Sequence, residues 1–429
     1  MDSNISVSLE PGGVLLARID MPGRAMNVFS MDMMDSLESI IVRAEADPEV
    51  RGVVLSSGKS TFLVGADLNM IRMFTERAKT DAFEQLHDLC GRLGRLFRRI
   101  ETSRKPYVAA INGLALGGGL EVCLACHSRI AANDENVGLG LPEIKLGLLP
   151  GAGGTQRLPR LIGARKGLEC LLLGQSLSRD EALSLGLVDE LVPAAELIGA
   201  ALERARTRAA PSVPWDRPTA RFDSAPFDFG SEQAYDEISS TLGISVYQRV
   251  RYPAYRAIMR CVVEGWSLPI DEALHHEMDI FVDLIRDRVA GNMVRTLFLN
   301  RQTAKKQGLL DSTGPLEQGD ESLLPRLRAV QAGCEAMSLD EDARILAVAL
   351  EAARCWGDGK VSIPALADVA VVEKGLCPAF TGGPYTFLLQ SDRDALRASA
   401  AELAGQHGAA FAWPEAADRF VADAGTALA

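Results

Sequence analysis

The sequence predicts an α/β domain at the N-terminal end of the chain with helical modules behind it, and three observations carry that fold class. Over roughly the first 110 residues, short apolar runs alternate with amphipathic stretches of helical period, the pattern of sheet layers covered by helices. Between residues 113 and 154, glycine-rich turns interrupt the alternation. From about residue 195 onward the pattern turns almost wholly helical.

Taken in order, Val14-Leu15-Leu16-Ala17-Arg18-Ile19 is a short, mostly apolar strand closed by the Pro22-Gly23 turn. Ser30 is placed to cap an amphipathic helix running to Ala46, with Met34, Leu37, Ile40 and Ile41 at spacings of three and four. Gly52 to Ser56 reads as a buried strand. A loop reaching Gly65-Ala66-Asp67, a long helix around residues 80–101 and a strand at Tyr107–Ile111 follow. Ser178-Arg179-Asp180-Glu181 has the form of a capping box, and the short helix behind it closes at Gly186. These elements place an α/β domain over residues 1–195 and a helical extension with a linker over 196–310, interrupted near Pro211, Pro214 and Pro218. Within a stretch rich in Gly, Ser, Asp and Glu (307–340), residues 311–340 are expected to be a polar linker, and residues 341–429 a last helical module.

At 429 residues the chain is too long for one ordinary core, so two or three domains are expected. A net charge of −12 argues against a nucleic-acid backbone or an anionic membrane surface as partner, since both reward clustered Lys and Arg. A small anionic substrate stays open. The opening MDSNISVSLEPGG has neither a basic start nor an apolar stretch, and no run of about 18 apolar residues could span a bilayer. A soluble, cytoplasmic protein is therefore expected. Eight scattered cysteines fit reduced, buried thiols. Cys123-Leu124-Ala125-Cys126-His127 matches the C-x-x-C-H form of haem attachment, but that chemistry requires export, and two small residues on a packed helix account for it.

Gly117-Gly118-Gly119, between a strand-like Tyr107–Ile111 and a helix carrying Glu121, allows close approach of the backbone to a ligand and leaves unpaired N–H groups at the helix start. Negative charge developing nearby would be stabilised there. A tight strand-to-helix turn alone would also use these glycines. Glu143 follows Leu139-Gly140-Leu141-Pro142, just before the glycine-rich 147–154 loop. Two carboxylates beside one oxyanion site suit acid and base work if their environments separate them; each by itself reads as a surface residue.

Asn112 to Glu121, then Leu141-Pro142-Glu143-Ile144-Lys145-Leu146-Gly147 and Pro150-Gly151-Ala152-Gly153-Gly154-Thr155-Gln156-Arg157, resemble the signature of the enoyl-CoA hydratase/isomerase (crotonase) superfamily. Phe62-Leu63-Val64-Gly65-Ala66-Asp67 is similar to its other oxyanion strand. The match covers roughly residues 10–195. The helical region Tyr252–Lys306 and the stretch from Gly375-Leu376-Cys377-Pro378 to Gly382-Gly383-Pro384 further resemble the multifunctional fatty-acid oxidation enzymes, which join a hydratase to a 3-hydroxyacyl-CoA dehydrogenase. The resemblance implies a ββα spiral for the first domain and an acyl-CoA thioester as substrate. It implies an oxyanion hole from the N–H groups of Ala66 and Gly118, catalysis by Glu121 and Glu143, and substrate contacts from Gly65, Asp67 and Gly117. Glu121 would help activate water for attack at Cβ and Glu143 would protonate Cα. Isomerisation of a Δ3 to a Δ2 double bond, another acyl-CoA enolate reaction, or a non-catalytic scaffold subunit are the competing readings.

The pattern breaks after Lys306. No G-x-G-x-x-G turn follows, and the 34 residues from 307 to 340 show no strand-like runs, whereas a βαβ unit takes about 30 or more with them. No NAD is expected, and CoA enters only as part of the substrate. The module from Arg344 to about Phe387 resembles the last helical portion of the dehydrogenase half, without the part that holds its catalytic His and Glu. It is expected to act as a packing element. His275, His276 and His407 stand outside the expected motif; His87 and His127 read as helix residues, and no metal site is expected. Simple members of the superfamily associate as trimers, but added helices could cover that surface, so monomer and trimer both stay open.

Overall fold

The computed structural model describes residues 4–207, 212–217, 220–306 and 322–423. They fall into two compact units, Met1–Asp287 and Arg288–Ala429.

Among the described residues of the first unit, ten strands form two sheets. The larger runs in the order β1 (Ile5–Glu10), β2 (Val14–Ile19), β3 (Gly52–Ser57), β5 (Tyr107–Ile111), β7 (Ser128–Ala132), β10 (Glu190–Val192). Only the β1–β2 hairpin is antiparallel. Its edge strand, ISVSLE, leaves Val7 and Leu9 exposed, and that weak pattern is why the sequence reading begins at β2. The central strands are buried on both faces, as parallel sheets are: every residue of β5 and β7 is buried. Each Val, Leu or Ile so buried contributes about 1.5–3 kcal/mol. The smaller sheet orders β4 (Leu63–Val64), β6 (Ala115–Leu116), β8 (Gly138–Gly140) and β9 (Ser176–Ser178).

Between the strands lie α1 (Met31–Ala46), α2 (Leu68–Arg77), α3 (Phe83–Glu101), α4 (Gly118–Ala125), α5 (Gly154–Ile162), α6 (Ala164–Leu173) and α7 (Arg179–Ser184), and α8 (Leu197–Thr207) follows β10. Ser30 caps α1 by accepting from the Met33 N–H, and Met34, Leu37, Ile40 and Ile41 form its buried stripe. The Ser178–Glu181 capping box opens α7 as expected. The long helix expected around residues 80–101 is α3, begun after Ala82; α2, capped by Asp67, precedes it and falls where the sequence suggests only a loop. His127 is not helical: it sits between α4 and β7, where its Nδ1 accepts from the Tyr107 N–H at 3.0 Å. All eight cysteines are buried and free.

The extension α9 (Ala234–Leu242), α10 (Val246–Arg251), α11 (Pro253–Gly265) and α12 (Ile270–Arg286) packs into this same unit, with α12 against α3 and α5 and α11 against α5 and α6. A domain boundary at residue 195 therefore gives way to one at 287. Of the expected proline linker, Pro211 and Pro218 lie outside the described residues. Pro214 opens a 3-10 turn whose Trp215 is buried and donates to Glu101.

Among the described residues, every regular element of the second unit is a helix. Glu341–Gly357 lies at its centre, packing Val348, Ala349 and Ala352 among Leu323, Leu327, Tyr385 and Phe420. Leu323–Ala336 is a helix, which corrects the polar linker expected over 311–340; residues 307–321 lie outside the described residues. The Gly382-Gly383-Pro384 stretch has a structural cause. Asp368 accepts from the N–H groups of Tyr385 and Thr386, and a Cβ at Gly383 would collide with that carboxylate.

Candidate active site

The smaller sheet sets the backbone of the site. β4 and β6 pair in parallel with Leu63 opposite Ala115 and Val64 opposite Leu116, so continuing the register brings Ala66 level with Gly118. The Gly65 N–H donates to Leu116 and the Gly117 N–H to Gly140, while the Phe29–Ala66 bridge uses the N–H groups of Phe29 and Asp67. None of these bonds uses the N–H of Ala66 or Gly118. Gly118 is the first residue of α4, so its N–H belongs to the positive end of that helix. Gly117 has φ +55°, and a Cβ there would stand 2.6 Å from Glu143 Oε1. Only glycine lets the backbone turn this close to the carboxyl.

Glu121 lies in the first turn of α4 and is buried. Its Oε1 accepts from the N–H groups of Ala152 and Gly154, each at 2.8 Å, which leaves Oε2 to the cavity. Glu143 opens a 3-10 turn ended by Gly147 at φ +72°. Its Oε2 is shut off from solvent and has no hydrogen-bond partner. Burial pushes both carboxyls up. For Glu121 the two N–H donors and Arg157 pull back. For Glu143 the negative charges of Glu121 and Glu277 push further, well above the usual carboxylate range. Glu121 is thus the readier anion and Glu143 the group that keeps its proton, the separation that acid–base pairs require.

Sequence reasoning missed Glu277. It is buried on α12 and accepts from the N–H groups of Gly153 (2.6 Å) and Thr155 (3.1 Å) and from the Thr155 hydroxyl. Gly153 has φ +99°, and α5 begins at the next residue. Two carboxylates therefore hold alternate N–H groups of one helix start, Glu121 taking Ala152 and Gly154, Glu277 taking Gly153 and Thr155. Arg157 supports the loop from behind, donating to the Ala152 carbonyl at 2.5 Å while pairing with buried Glu101. The available signal is a charged residue on the apolar stripe Ala273, Glu277, Ile280, Leu284.

A cavity of about 80 Å³ is walled by Ala66, Gly118, Glu121 and Glu143 together with apolar side chains that include Phe29, Met70, Leu93 and Phe281. Its apolar wall and few polar groups suit a small acyl chain held by one end. Gly65, Asp67 and Gly117 lie off that wall. The two glycines are tied into the strand ladder, and Asp67 caps α2 and pairs with Arg24 at 2.5 Å.

The family profile described as enoyl-CoA hydratase/isomerase matches residues 10–214, just under half of the chain, and it is this stretch that is similar to the family. Among curated relatives, the fatty acid oxidation complex subunit alpha of Idiomarina loihiensis is 36% identical over 314 residues. That of Shewanella amazonensis is 34% identical over 318. The aligned stretches cover 72% and 73% of this chain but 42% and 43% of those proteins, so the chain spans less than half the length of the curated relatives it matches. Among solved structures, an enoyl-CoA hydratase from Bacillus anthracis has 29% identity and a TM-score of 0.42, with 71% of this chain and 96% of that one covered. A monofunctional enoyl CoA isomerase from M. smegmatis has 27% identity and a TM-score of 0.38, with 48% and 84% covered.

Proposed function

We propose that the protein adds water across the double bond of a 2-enoyl-CoA to give the 3-hydroxyacyl-CoA. The observation that carries this reading is that one cavity wall holds Ala66, Gly118 and two carboxyls of unlike environment. The thioester oxygen would sit between the N–H groups of Ala66 and Gly118, where each good donor is worth about 3 kcal/mol as charge collects on it. That charge makes Cβ electrophilic. Glu121 takes a proton from water as the water oxygen bonds to Cβ, the π electrons pass into an enolate, and Glu143 gives its proton to Cα. One water has been added, and the proton on Glu121 returns to Glu143 before the next turnover. Contacts of the remaining CoA moiety would supply binding energy away from the reacting carbons.

The same reading assigns no hydride transfer to this chain. Among the described residues no strand follows Val192, and the 15 positions 307–321 are fewer than the roughly 30 of a βαβ unit. The direct test mixes the protein with a 2-enoyl-CoA and follows the conjugated thioester absorbance. Its loss, with 3-hydroxyacyl-CoA as product, is expected; unchanged absorbance at substrate saturation would remove the hydratase reading. A second reading, transfer of a proton between Cα and Cγ of a 3-enoyl-CoA, is favoured by the secluded, unpartnered Glu143 Oε2. It would show as a gain of that absorbance from a 3-enoyl-CoA.

A further inference from the structure

α3 and α12 pack against each other and bring together His87 from the first with His275 and Asp279 from the second. His87 Nε2 lies 3.5 Å from Asp279 Oδ1, and His275 Nε2 lies 3.9 Å from Asp279 Oδ2. The two imidazole centroids are 4.5 Å apart, and one ligand atom from each residue lies within 4.8 Å of the others. These separations are too long for hydrogen bonds. His87 Nε2 is shut off from solvent and has no hydrogen-bond partner, a cost the fold otherwise leaves unanswered. An ion bound tetrahedrally at about 2.0–2.2 Å from each donor sets its ligands about 3.3–3.6 Å apart. The His87–Asp279 pair already has that spacing, and the His275 side chain, 69% exposed, is free to close the rest.

We propose that His87, His275 and Asp279 form a site for a divalent transition ion, with zinc the best match to two imidazoles and a carboxylate, and that the ion ties α3 to α12. A groove of about 180 Å³ lined by His87 and His275 gives water access to the fourth position. The same helix carries Glu277 two residues from each of its ligands, so the clasp would also hold the buried carboxylate that grips the α5 start. None of the three residues lines the cavity that holds Glu121 and Glu143, and the proposal does not depend on what reaction they perform.

The test uses untagged, full-length protein freed of metal with a chelator. Zinc titrated calorimetrically should bind one ion per chain and raise Tm by a few degrees. Cobalt(II) should give the visible bands of a tetrahedral ion. His275→Ala and Asp279→Asn change half-exposed or exposed groups, and each should weaken zinc binding at least tenfold and abolish the rise in Tm, while the metal-free circular dichroism matches wild type. Absence of saturable binding to wild type would overturn the proposal. So would binding that both variants retain, because the ion would then sit elsewhere, for instance at His276 and Glu264, which are 2.7 Å apart.

Discussion

Glu121 and Glu143 are the same residue type put to different uses by what surrounds them. Two backbone donors and a helix start oppose the burial of Glu121; nothing comparable answers Glu143 Oε2. Glu121→Gln and Glu143→Gln should each lower hydration turnover by at least about a hundredfold, the scale of a positioned acid or base, with Tm little changed. Steady-state kinetics beside a thermal melt checks this, and a variant with near wild-type turnover removes its residue from the mechanism. The pH profile should be a bell. Turnover rises as Glu121 loses its proton above the ordinary glutamate range and falls as Glu143 loses its own at higher pH. The alkaline limb should disappear in the residual activity of Glu143→Gln. Both glutamates were legible in the sequence because each stands beside a glycine turn within a short motif. Glu277 was not, because its partner Gly153 lies 124 positions away and no local pattern encodes that meeting.

At the scale of elements, the start of α5 is gripped from two sides, by α4 through Glu121 and by α12 through Glu277. Glu277→Ala leaves two buried N–H groups without an acceptor, at about 1–3 kcal/mol each, and loosens the loop that orients Glu121. Turnover and Tm should both fall, and Glu277→Gln, which keeps a carbonyl acceptor, should recover part of each. The buried Glu277 carboxyl is pushed up to about 8 by burial and then by the charge of Glu121. The folded state therefore holds a proton that the unfolded state releases near pH 4.5, and this contribution to stability is full below that and lost as pH rises to about 8. Denaturant unfolding at several pH values should show that loss shrinking in Glu277→Gln. An undiminished slope would place its source elsewhere. In the first 195 residues β2, β3, β5, α1, α3 and α7 were legible, since periodicity and caps are local, whereas the two- and three-residue strands β4, β6, β8 and β9 are too short to carry a period. The helix Leu323–Ala336 was hidden by its setting and by Pro325. That proline falls in the first turn, where no N–H is required, and the buried Leu323, Leu324 and Leu327 were the overlooked sign.

At the scale of the whole molecule, every residue of the candidate site lies in Met1–Asp287, and the regular elements described in Arg288–Ala429 are all helices. Hydride transfer needs a strand, a glycine turn and a helix start to hold a nicotinamide. Purified protein given 3-hydroxyacyl-CoA and NAD⁺ should therefore form no NADH, and sustained NADH formation would show a dehydrogenase site that this reading lacks. The limit of legibility here was packing: helical periodicity revealed the modules beyond residue 195, but not that α9–α12 belong with the first unit, which depends on contacts of α12 with α3 and α5. The central claim is that Glu121 activates a water that ends up on Cβ. Turnover of a 2-enoyl-CoA in ¹⁸O-labelled water, with the product read by mass spectrometry, tests it most directly. The account predicts a 3-hydroxyacyl-CoA carrying one labelled oxygen, formed at least about a hundredfold more slowly by Glu121→Gln. An unlabelled product, or labelling at an equal rate in that variant, would contradict it.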